Sequence, residues 1–323
     1  MLTIQVEQDR VRIGERFSLS FQRTLRIPDD GKTYPLPPGF NAFPIRRVAD
    51  FAGRTPVSWK KDGLFFAMYQ REATWLAFDA AAWKPNAVKV GTGRINALTG
   101  EAWDIQLQDN PQDYLVCPEQ PWLDGFNTGQ GVVRQFVAMP LGKGYSAEGQ
   151  LTGREQFGGV QIVVYEPVPG RFPDQPPPQP EPSFGAGFEF ALEMPASEMG
   201  LAAGGKLGQK IYPDPYGIEA WDPANYAELE VYILNSAQFE ALTGEPPPPT
   251  PVSPQTYQEY RLPWFDLYDD EMTSLASSEK LTGIQSVREK DAEKGLAPGE
   301  DETSLDVDAE QIKKLNRKGK RKE

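Results

Sequence analysis

Proline and glycine interrupt this chain so often that long helices have little room. The 323 residues include 31 prolines and 30 glycines. Proline breaks a helix, and both residues mark turns. Between these breaks lie short runs in which apolar and polar side chains alternate. We therefore expect short strands joined by many turns, with 39% hydrophobic residues available to form a core.

The alternation is clearest in the sequence FSLSFQRTLRI, residues 17–27. Its apolar residues fall on one parity and, apart from Arg23, its polar residues on the other, which is typical of a strand with one buried face. Similar runs occur at residues 2–6, 63–78, 87–98, 113–117, 131–139 and 159–166. The sequence predicts an all-β or β-dominated fold, with an antiparallel sandwich or barrel over residues 1–166 and short capped helices at the turns.

The middle of the chain is divided by two proline-rich runs. Residues 167–183 are predicted to be a linker or a surface loop, because proline cannot donate to a sheet ladder. A smaller β-rich block, residues 184–244, is expected to pack on the first domain or to extend its sheets. It ends in a short helix for which Ser236 suits the first cap and Gly244 the last. Residues 245–255 are predicted to be a second linker.

The end of the chain changes character twice. Residues 256–284 form an aromatic and acidic segment that could dock on a partner or pack on its own domain. Beyond them, residues 285–323 contain few apolar side chains and carry opposed blocks of charge. Such a composition predicts a disordered charged tail.

The chain contains no histidine and only one cysteine, Cys117. Histidine-based catalytic triads and histidine-ligated metal sites are therefore excluded. Cys117 lies in an apolar run and is expected to be a small buried side chain. The acidic run near residue 266 lacks the spacing of a calcium-binding EF-hand. We predict no cofactor and no metal site, and we lean against an enzyme.

The glycine-rich stretch at residues 142–159 could be a phosphate-binding loop or a set of turns. It lacks the Walker pattern, but Gly142 begins a GxGxxA match and Glu166 stands near the position of a ribose-binding acid. However, Gly149 and Gly153 would interrupt the crossover helix that this motif requires. We therefore predict turns around one short capped helix, and nucleotide binding remains the least favoured alternative.

Two groups of carboxylates stand beside tryptophans. Trp122 is followed by Asp124, and Trp221 is flanked by Glu219 and Asp222. Glycoside hydrolases use a pair of carboxylates, and the distance between them decides the chemistry. These five residues are the candidates for a sugar site, in either a carbohydrate-binding protein or a carboxylate-based glycoside hydrolase.

The favoured hypothesis is a non-enzymatic binding or scaffolding protein that acts through protein–protein contacts. Short aromatic segments next to a disordered region often dock on partners. The candidate docking residues are Trp264, Phe265, Asp266, Tyr268 and Asp269. The aromatic-rich β surface is the second contact region in this hypothesis.

Charge and targeting signals limit the partners. The net charge of −13 disfavours nucleic acid, because phosphates would be repelled. The N-terminal residues do not resemble a signal peptide, and no apolar run is long enough to span a membrane. We expect a cytoplasmic protein whose partners are other proteins, with a homo-oligomer left open.

Several stretches resemble a family of uncharacterised bacterial proteins with no assigned function. They include PWLDGF, GVVRQFVAMPLGKGYSAEGQLTG, GGKLGQKIYPDPYGIEAWD and NSAQFEALTGEPPPPTP. The similarity covers about residues 110–290. It implies a bacterial and cytoplasmic protein, and it implies nothing about its chemistry.

Overall fold

The structure is a computed structural model that describes residues 2–175, 198–251, 253–259, 261–268 and 273–316. The described strands are β1 (Ile4–Glu7), β2 (Arg10–Ile13), β3 (Phe17–Thr24), β4 (Thr33–Tyr34), β5 (Gly39–Ala42), β6 (Arg46–Arg47), β7 (Leu64–Met68), β8 (Ala73–Ala80), β9 (Asn86–Thr92), β10 (Ile95–Asn96), β11 (Leu115–Cys117), β12 (Trp122–Leu123), β13 (Gly125–Gly129), β14 (Val132–Pro140), β15 (Val160–Pro167), β16 (Glu198–Gly208), β17 (Trp221–Asn235), β18 (Trp264–Tyr268) and β19 (Ile312–Asn316). The α-helices are α1 (Ala147–Thr152), α2 (Ser236–Thr243), α3 (Pro254–Glu259), α4 (Glu279–Thr282) and α5 (Val287–Glu293). Single 3-10 turns lie at Val48–Phe51, Ile218–Ala220, Glu300–Glu302 and Ala309–Gln311.

Strands β1 to β17 belong to one hydrogen-bonded network. Antiparallel pairing runs without a break through β1, β2, β3, β8, β14, β16, β17, β15 and β9. Parallel pairs join β4 to β16 and β7 to β17, and β18 and β19 form a separate parallel pair. The prediction of a β-dominated, mainly antiparallel fold is confirmed.

The alternation along β3 explains how this strand is placed. Phe17, Leu19 and Phe21 are buried in the main core, and Leu25 and Ile27 beyond the strand join the same core. The opposite face of β3 carries small or polar side chains. The period of two therefore places the apolar side chains on the core face, while Ser18, Ser20 and Thr24 on the other face are covered by other parts of the chain.

The strands of the second β-rich block pair with strands of the first domain. Strand β16 pairs with most of β14, and strand β17 pairs with most of β15. Leu229, Val231 and Ile233 of β17 enter the main core. The described part of this block therefore extends the sheet of residues 1–166.

The second proline-rich run packs against the body, which corrects its prediction as a linker. Pro247 and Pro248 are buried. The Tyr69 hydroxyl donates to the Pro248 carbonyl at 3.0 Å, and Arg23 donates to the Pro249 carbonyl. Proline has no backbone N–H, but its carbonyl oxygen still accepts hydrogen bonds. Donors of the body can therefore bind such a run directly. Composition alone does not reveal these partners.

The predicted docking segment is anchored in its own chain. Trp264 is 2% exposed, stacks on Tyr34 and meets Tyr257 edge to face. Phe265 is half-buried and exchanges two backbone hydrogen bonds with Leu36, both of 2.8 Å. Trp264 is thus a core residue of its own chain, which agrees with the alternative that this segment packs on its own domain.

Part of the predicted charged tail, residues 285–316, has regular structure, and residues 317–323 lie outside the described residues. Residues 285–316 contain α5, two 3-10 turns and β19. Val287 and Leu305 are buried in apolar clusters of the body, and Glu302 is paired with Arg26. Distant partners supply the burial that the local composition lacks. We call residues 286–305 the strap.

Candidate functional site

The glycine-rich stretch forms turns around a short helix, as predicted. The Ser146 hydroxyl accepts a hydrogen bond of 3.0 Å from the Gly149 amide and caps α1 at its start. Gly153 closes the helix with a φ of 74°, a left-handed conformation that glycine adopts without strain.

The backbone donors of this stretch already have acceptors. The Glu155 carboxylate accepts from the amides of Gly144 and Ser146, at 2.8 and 3.0 Å. Burial alone would raise the pKa of Glu155, but these bonds and one from the Ser146 hydroxyl lower it. The Glu148 carboxylate accepts from three amides, those of residues 156–158. The amides that could cradle a phosphate are bound to the chain's own carboxylates.

Glu166 and the flanking strands are arranged differently from a dinucleotide site. Glu166 is ion-paired with Arg16 and accepts from Asn86. Strands β14 and β15 each have antiparallel neighbours, so no parallel crossover joins them. The geometry around Gly142 therefore gives no support to nucleotide binding.

We expect Ser146→Ala to lower the free energy of unfolding by about 1–2 kcal/mol, because a helix cap is lost. The bond of 2.6 Å from Ser146 to Glu155 is lost as well. Urea unfolding measures the effect, and Ser146→Thr is the matched control because it keeps a capping hydroxyl. Equal losses in both variants would contradict this role of the hydroxyl.

The carboxylates beside Trp221 do not form a catalytic pair with it. Trp221 is buried, and its indole nitrogen donates to Asp214 at 2.8 Å. Glu219 is exposed and Asp222 accepts from the backbone of Ala224. Asp214, which the sequence analysis missed, also accepts from the Tyr114 hydroxyl, and no local sequence signal could have indicated that distant partner.

Asp124 is fully buried and lies between β12 and β13. Its amide donates to the Gln209 side-chain oxygen at 3.0 Å, and the Gln209 amide group donates back to its carboxylate at 2.7 Å. Burial raises the pKa of Asp124 to about 7, although the bond from Gln209 opposes this shift. Asp124 therefore fixes the chain next to Trp122 and does not itself face solvent.

Trp122 is half-buried and has a second indole beside it. It pairs in register with Ala77 of β8, two residues after Trp75. The Trp75 and Trp122 ring centroids are 6.1 Å apart, with an angle of 63° between the ring planes. The sequence analysis missed Trp75, although alternation with the core residues Leu76 and Phe78 places it on the outer face.

Small and neutral side chains surround the two indoles. Ser20 and Gln22 of β3 lie in register with Ala77 and Trp75. The Gln22 amide group donates to the Ser20 hydroxyl at 2.8 Å. Gly39 of β5 is exposed, and a Cβ atom there would come within 3.0 Å of both Gln22 and Trp75. We call the surface formed by Ser20, Gln22, Gly39, Trp75, Ala77 and Trp122 the indole face.

The indole nitrogen of Trp75 is buried and has no acceptor within the described part of the chain. Most buried donors in proteins have a partner, and an unsatisfied one calls for an explanation.

The side chains of the indole face are aromatic rings and small or uncharged polar groups. The described residues contain no group of three or more His, Cys, Asp or Glu side chains that could share a metal ion. Cys117 is buried, and burial raises the pKa of its thiol well above the usual value. The indole face offers apolar ring surface and hydrogen-bond donors. Of the sequence candidates it contains Trp122, with Asp124 behind it.

The remaining docking candidates lie elsewhere. Asp266 is half-buried on β18, and Tyr268 is the last residue of that strand. Asp269 lies outside the described residues. None of the described docking candidates belongs to the indole face.

Comparisons with protein-family models, with curated proteins and with solved structures find no match to the chain. Of the helices that the structure describes, none combines the length and apolarity needed to cross a membrane.

Proposed function

We propose that this chain is a non-enzymatic binding protein that acts through protein–protein contacts at the indole face. The observation that carries the proposal is the pair of half-buried indoles, 6.1 Å apart, on an outward-facing part of the sheet. Tryptophan is enriched among the residues that dominate binding energy at protein interfaces. Rigid strands on both sides hold the two rings in place before a partner arrives.

Elsewhere on the described surface, large apolar side chains are exposed singly. Val57, Phe157 and Leu296 are strongly exposed, but each lies in a separate loop. Single exposed apolar residues are normal on soluble proteins and need no partner. The two adjacent indoles, embedded in a regular sheet, therefore support a recognition role better than these loop residues do.

A carbohydrate-binding protein is the second candidate function. It is favoured by the neutral hydroxyl of Ser20 and the amide of Gln22 beside the indoles, because sugars need such hydrogen-bonding groups together with a flat apolar surface. Asp124 is fully buried behind Trp122, so this candidate is a binding site and not a glycoside hydrolase.

A photo-crosslinking residue at position 77 tests the proposal in the cells that make the protein. Ala77→benzoylphenylalanine places the probe beside both indoles, and the same probe at Val57 is the control. We expect a distinct crosslinked protein from position 77 that disappears when Trp75→Ala and Trp122→Ala are added. Identical products from positions 77 and 57, or no product from position 77, would contradict the proposal.

The same experiment addresses the identity of the partner and its location. A crosslinked product of twice the chain mass, containing only this sequence, would identify a second copy as the partner. A cytoplasmic location and a bacterial source belong to the proposal, because they come from the sequence and from the family resemblance. The fractionation of the crosslinked product between soluble extract and membranes tests the location.

A further inference from the structure

We propose that the side chains of Lys89 and Asp113 condense into an amide bond, which cross-links β9 to the segment that leads into β11. In the structure the two groups form an ion pair, which is the reactant of this condensation, with 2.6 Å between Nζ and Oδ2. The site shares no residue with the indole face. It consists of a buried amine, a buried carboxyl group, a backbone donor on that carboxyl group and a second carboxylate.

Lys89 is a buried amine that β9 directs into an apolar cluster. Its side chain is 1% exposed, although lysine is among the residues least often buried. Ala87, two positions earlier on the same face of β9, belongs to this cluster, and Val163 of the cluster pairs in register with Lys89. The amine lies 5.7 Å from the centroid of the Trp103 ring. Water therefore has little access to the amine.

Asp113 presents its two oxygens to different partners. Oδ2 contacts the amine of Lys89, and Oδ1 accepts a hydrogen bond of 2.9 Å from the Gln108 backbone amide. A fixed donor on a carbonyl oxygen stabilises the negative charge that develops there when a nucleophile attacks the carbon. Burial raises the pKa of Asp113, although its bonds from Lys89 and Gln108 oppose this shift. The protonated acid is the form that can lose a hydroxyl group as water.

Asp104 is placed to move protons. Its Oδ1 lies 3.0 Å from Nζ of Lys89 and is fixed by a hydrogen bond of 2.8 Å from the Gln106 amide. The Gln106 carbonyl accepts from the same amine. Unlike the two reacting groups, the Asp104 side chain is 58% exposed. It can therefore take a proton from the amine, as a general base does, and it lies where the released water can leave.

The condensation balances without any other reactant. Asp104 relays two protons in turn from the Lys89 ammonium to Oδ2 of Asp113, and the neutral amine attacks Cγ. The negative charge that forms on Oδ1 is stabilised by the Gln108 amide. The Cγ–Oδ2 bond then breaks, Oδ2 leaves as water, and an Nζ–Cγ amide with one hydrogen remains. Neither group is oxidised or reduced, and their fixed contact replaces the encounter that free molecules would need.

The bond closes a loop that no disulfide within this chain can close, because the sequence contains a single cysteine. The loop comprises residues 90–112, which include β10 and the long irregular segment after it. A covalent link across such a loop restricts the unfolded chain. The amide therefore takes the structural role that a disulfide has in other proteins.

The intact mass of the full-length protein, purified and then denatured, tests the proposal. We expect the chain to be lighter than its sequence by one water molecule. Lys89→Arg and Asp113→Ala should each have the full mass of the variant sequence, and Asp104→Ala should leave most of the chain unlinked. Lys60→Arg is the matched control. Lys60 pairs with Glu228 at the surface, so this variant should still lack one water.

Tryptic peptides locate the missing water. Trypsin should fail to cleave after Lys89, and the peptide of residues 72–94 should be joined to that of residues 95–134. This result does not depend on how the variants fold, because it is read from the unsubstituted chain. A full sequence mass, or a missing water confined to one peptide, would show that Lys89 and Asp113 remain an ordinary ion pair and would overturn the proposal.

Discussion

Replacing Arg26 by leucine is expected to lower the free energy of unfolding by about 3–5 kcal/mol, because a buried ion pair loses one partner. The Arg26 side chain is 5% exposed and is paired with Glu302, which is 1% exposed, and with Asp301. Burial lowers the pKa of Arg26, while the two acids oppose that shift. Without the guanidinium, Glu302 would remain buried with Arg71 as its nearest cation, at 3.5 Å.

This substitution also tests how the strap is held. Arg71 binds Asp291 at 2.7 Å and Asp301 at 2.8 Å, so two arginines of the body hold three acids of the strap. Urea unfolding measures the loss. Arg10→Leu is the matched control, because Arg10 pairs with Asp79 at the surface and should change stability by less than about 1 kcal/mol. Similar small effects from both substitutions would show that the strap does not depend on this cluster.

Replacing Asp124 by asparagine is expected to remove a pH-dependent loss of stability. The pKa of Asp124 is about 7 in the folded protein, against an ordinary value of 3.8 for an aspartic acid. The folded state therefore holds this proton more tightly than the unfolded state does. The stability that this bound proton contributes is fully present below about pH 4. It is lost as pH rises through the folded pKa near 7, by an amount on the order of 3–5 kcal/mol.

The comparison is made by urea unfolding of both proteins from pH 5 to pH 8.5. Asparagine can keep both hydrogen bonds with Gln209 and carries no charge, so the variant should be the more stable protein at high pH. The difference between the two proteins should grow by up to about 1.4 kcal/mol per pH unit below pH 7. A difference that does not change with pH would mean that Asp124 does not titrate in this range.

Features that depend on neighbours in the sequence could be predicted. The alternation along β3 and β17 placed the correct residues in the core, because a strand turns successive side chains to opposite faces. The capped helix at residues 147–152 followed from Ser146 and Gly153, which act within a few residues of each other. For α2 the cap is Asn235 rather than Ser236, a shift of one residue between two side chains that both suit the role.

Features that depend on distant partners could not be predicted. The run at residues 246–249 has the composition of a linker. Trp264 lies in an aromatic and acidic segment of the kind that often docks on partners. Their burial depends on Arg23, Tyr69 and Tyr34, which lie about 180 residues or more away in the sequence. The strap was assigned to disorder for the same reason, because Arg26 and Glu302 are separated by 276 positions. The composition of a segment does not indicate which distant residues it will contact in the folded chain.

The candidate site was predicted only in part. Trp122 and Asp124 were found because a carboxylate stands near a tryptophan in the sequence, and the structure gives the two residues different roles. Trp75 was missed because it has no carboxylate beside it, although its outward parity on β8 was available. The pairing of β12 with β8 brings the two indoles together, and that register is a property of the folded sheet.

Hydroxyl-radical footprinting tests the central claim, that the indole face is covered by a partner where the protein works. Oxidation of Trp75 and Trp122 would be measured in the purified protein and in the cells that make it, with the exposed Phe157 as internal reference. We expect oxidation of both tryptophans, relative to Phe157, to fall several-fold in the cells. Equal relative oxidation in cells and in the purified protein would show that nothing covers this face, and would contradict the account.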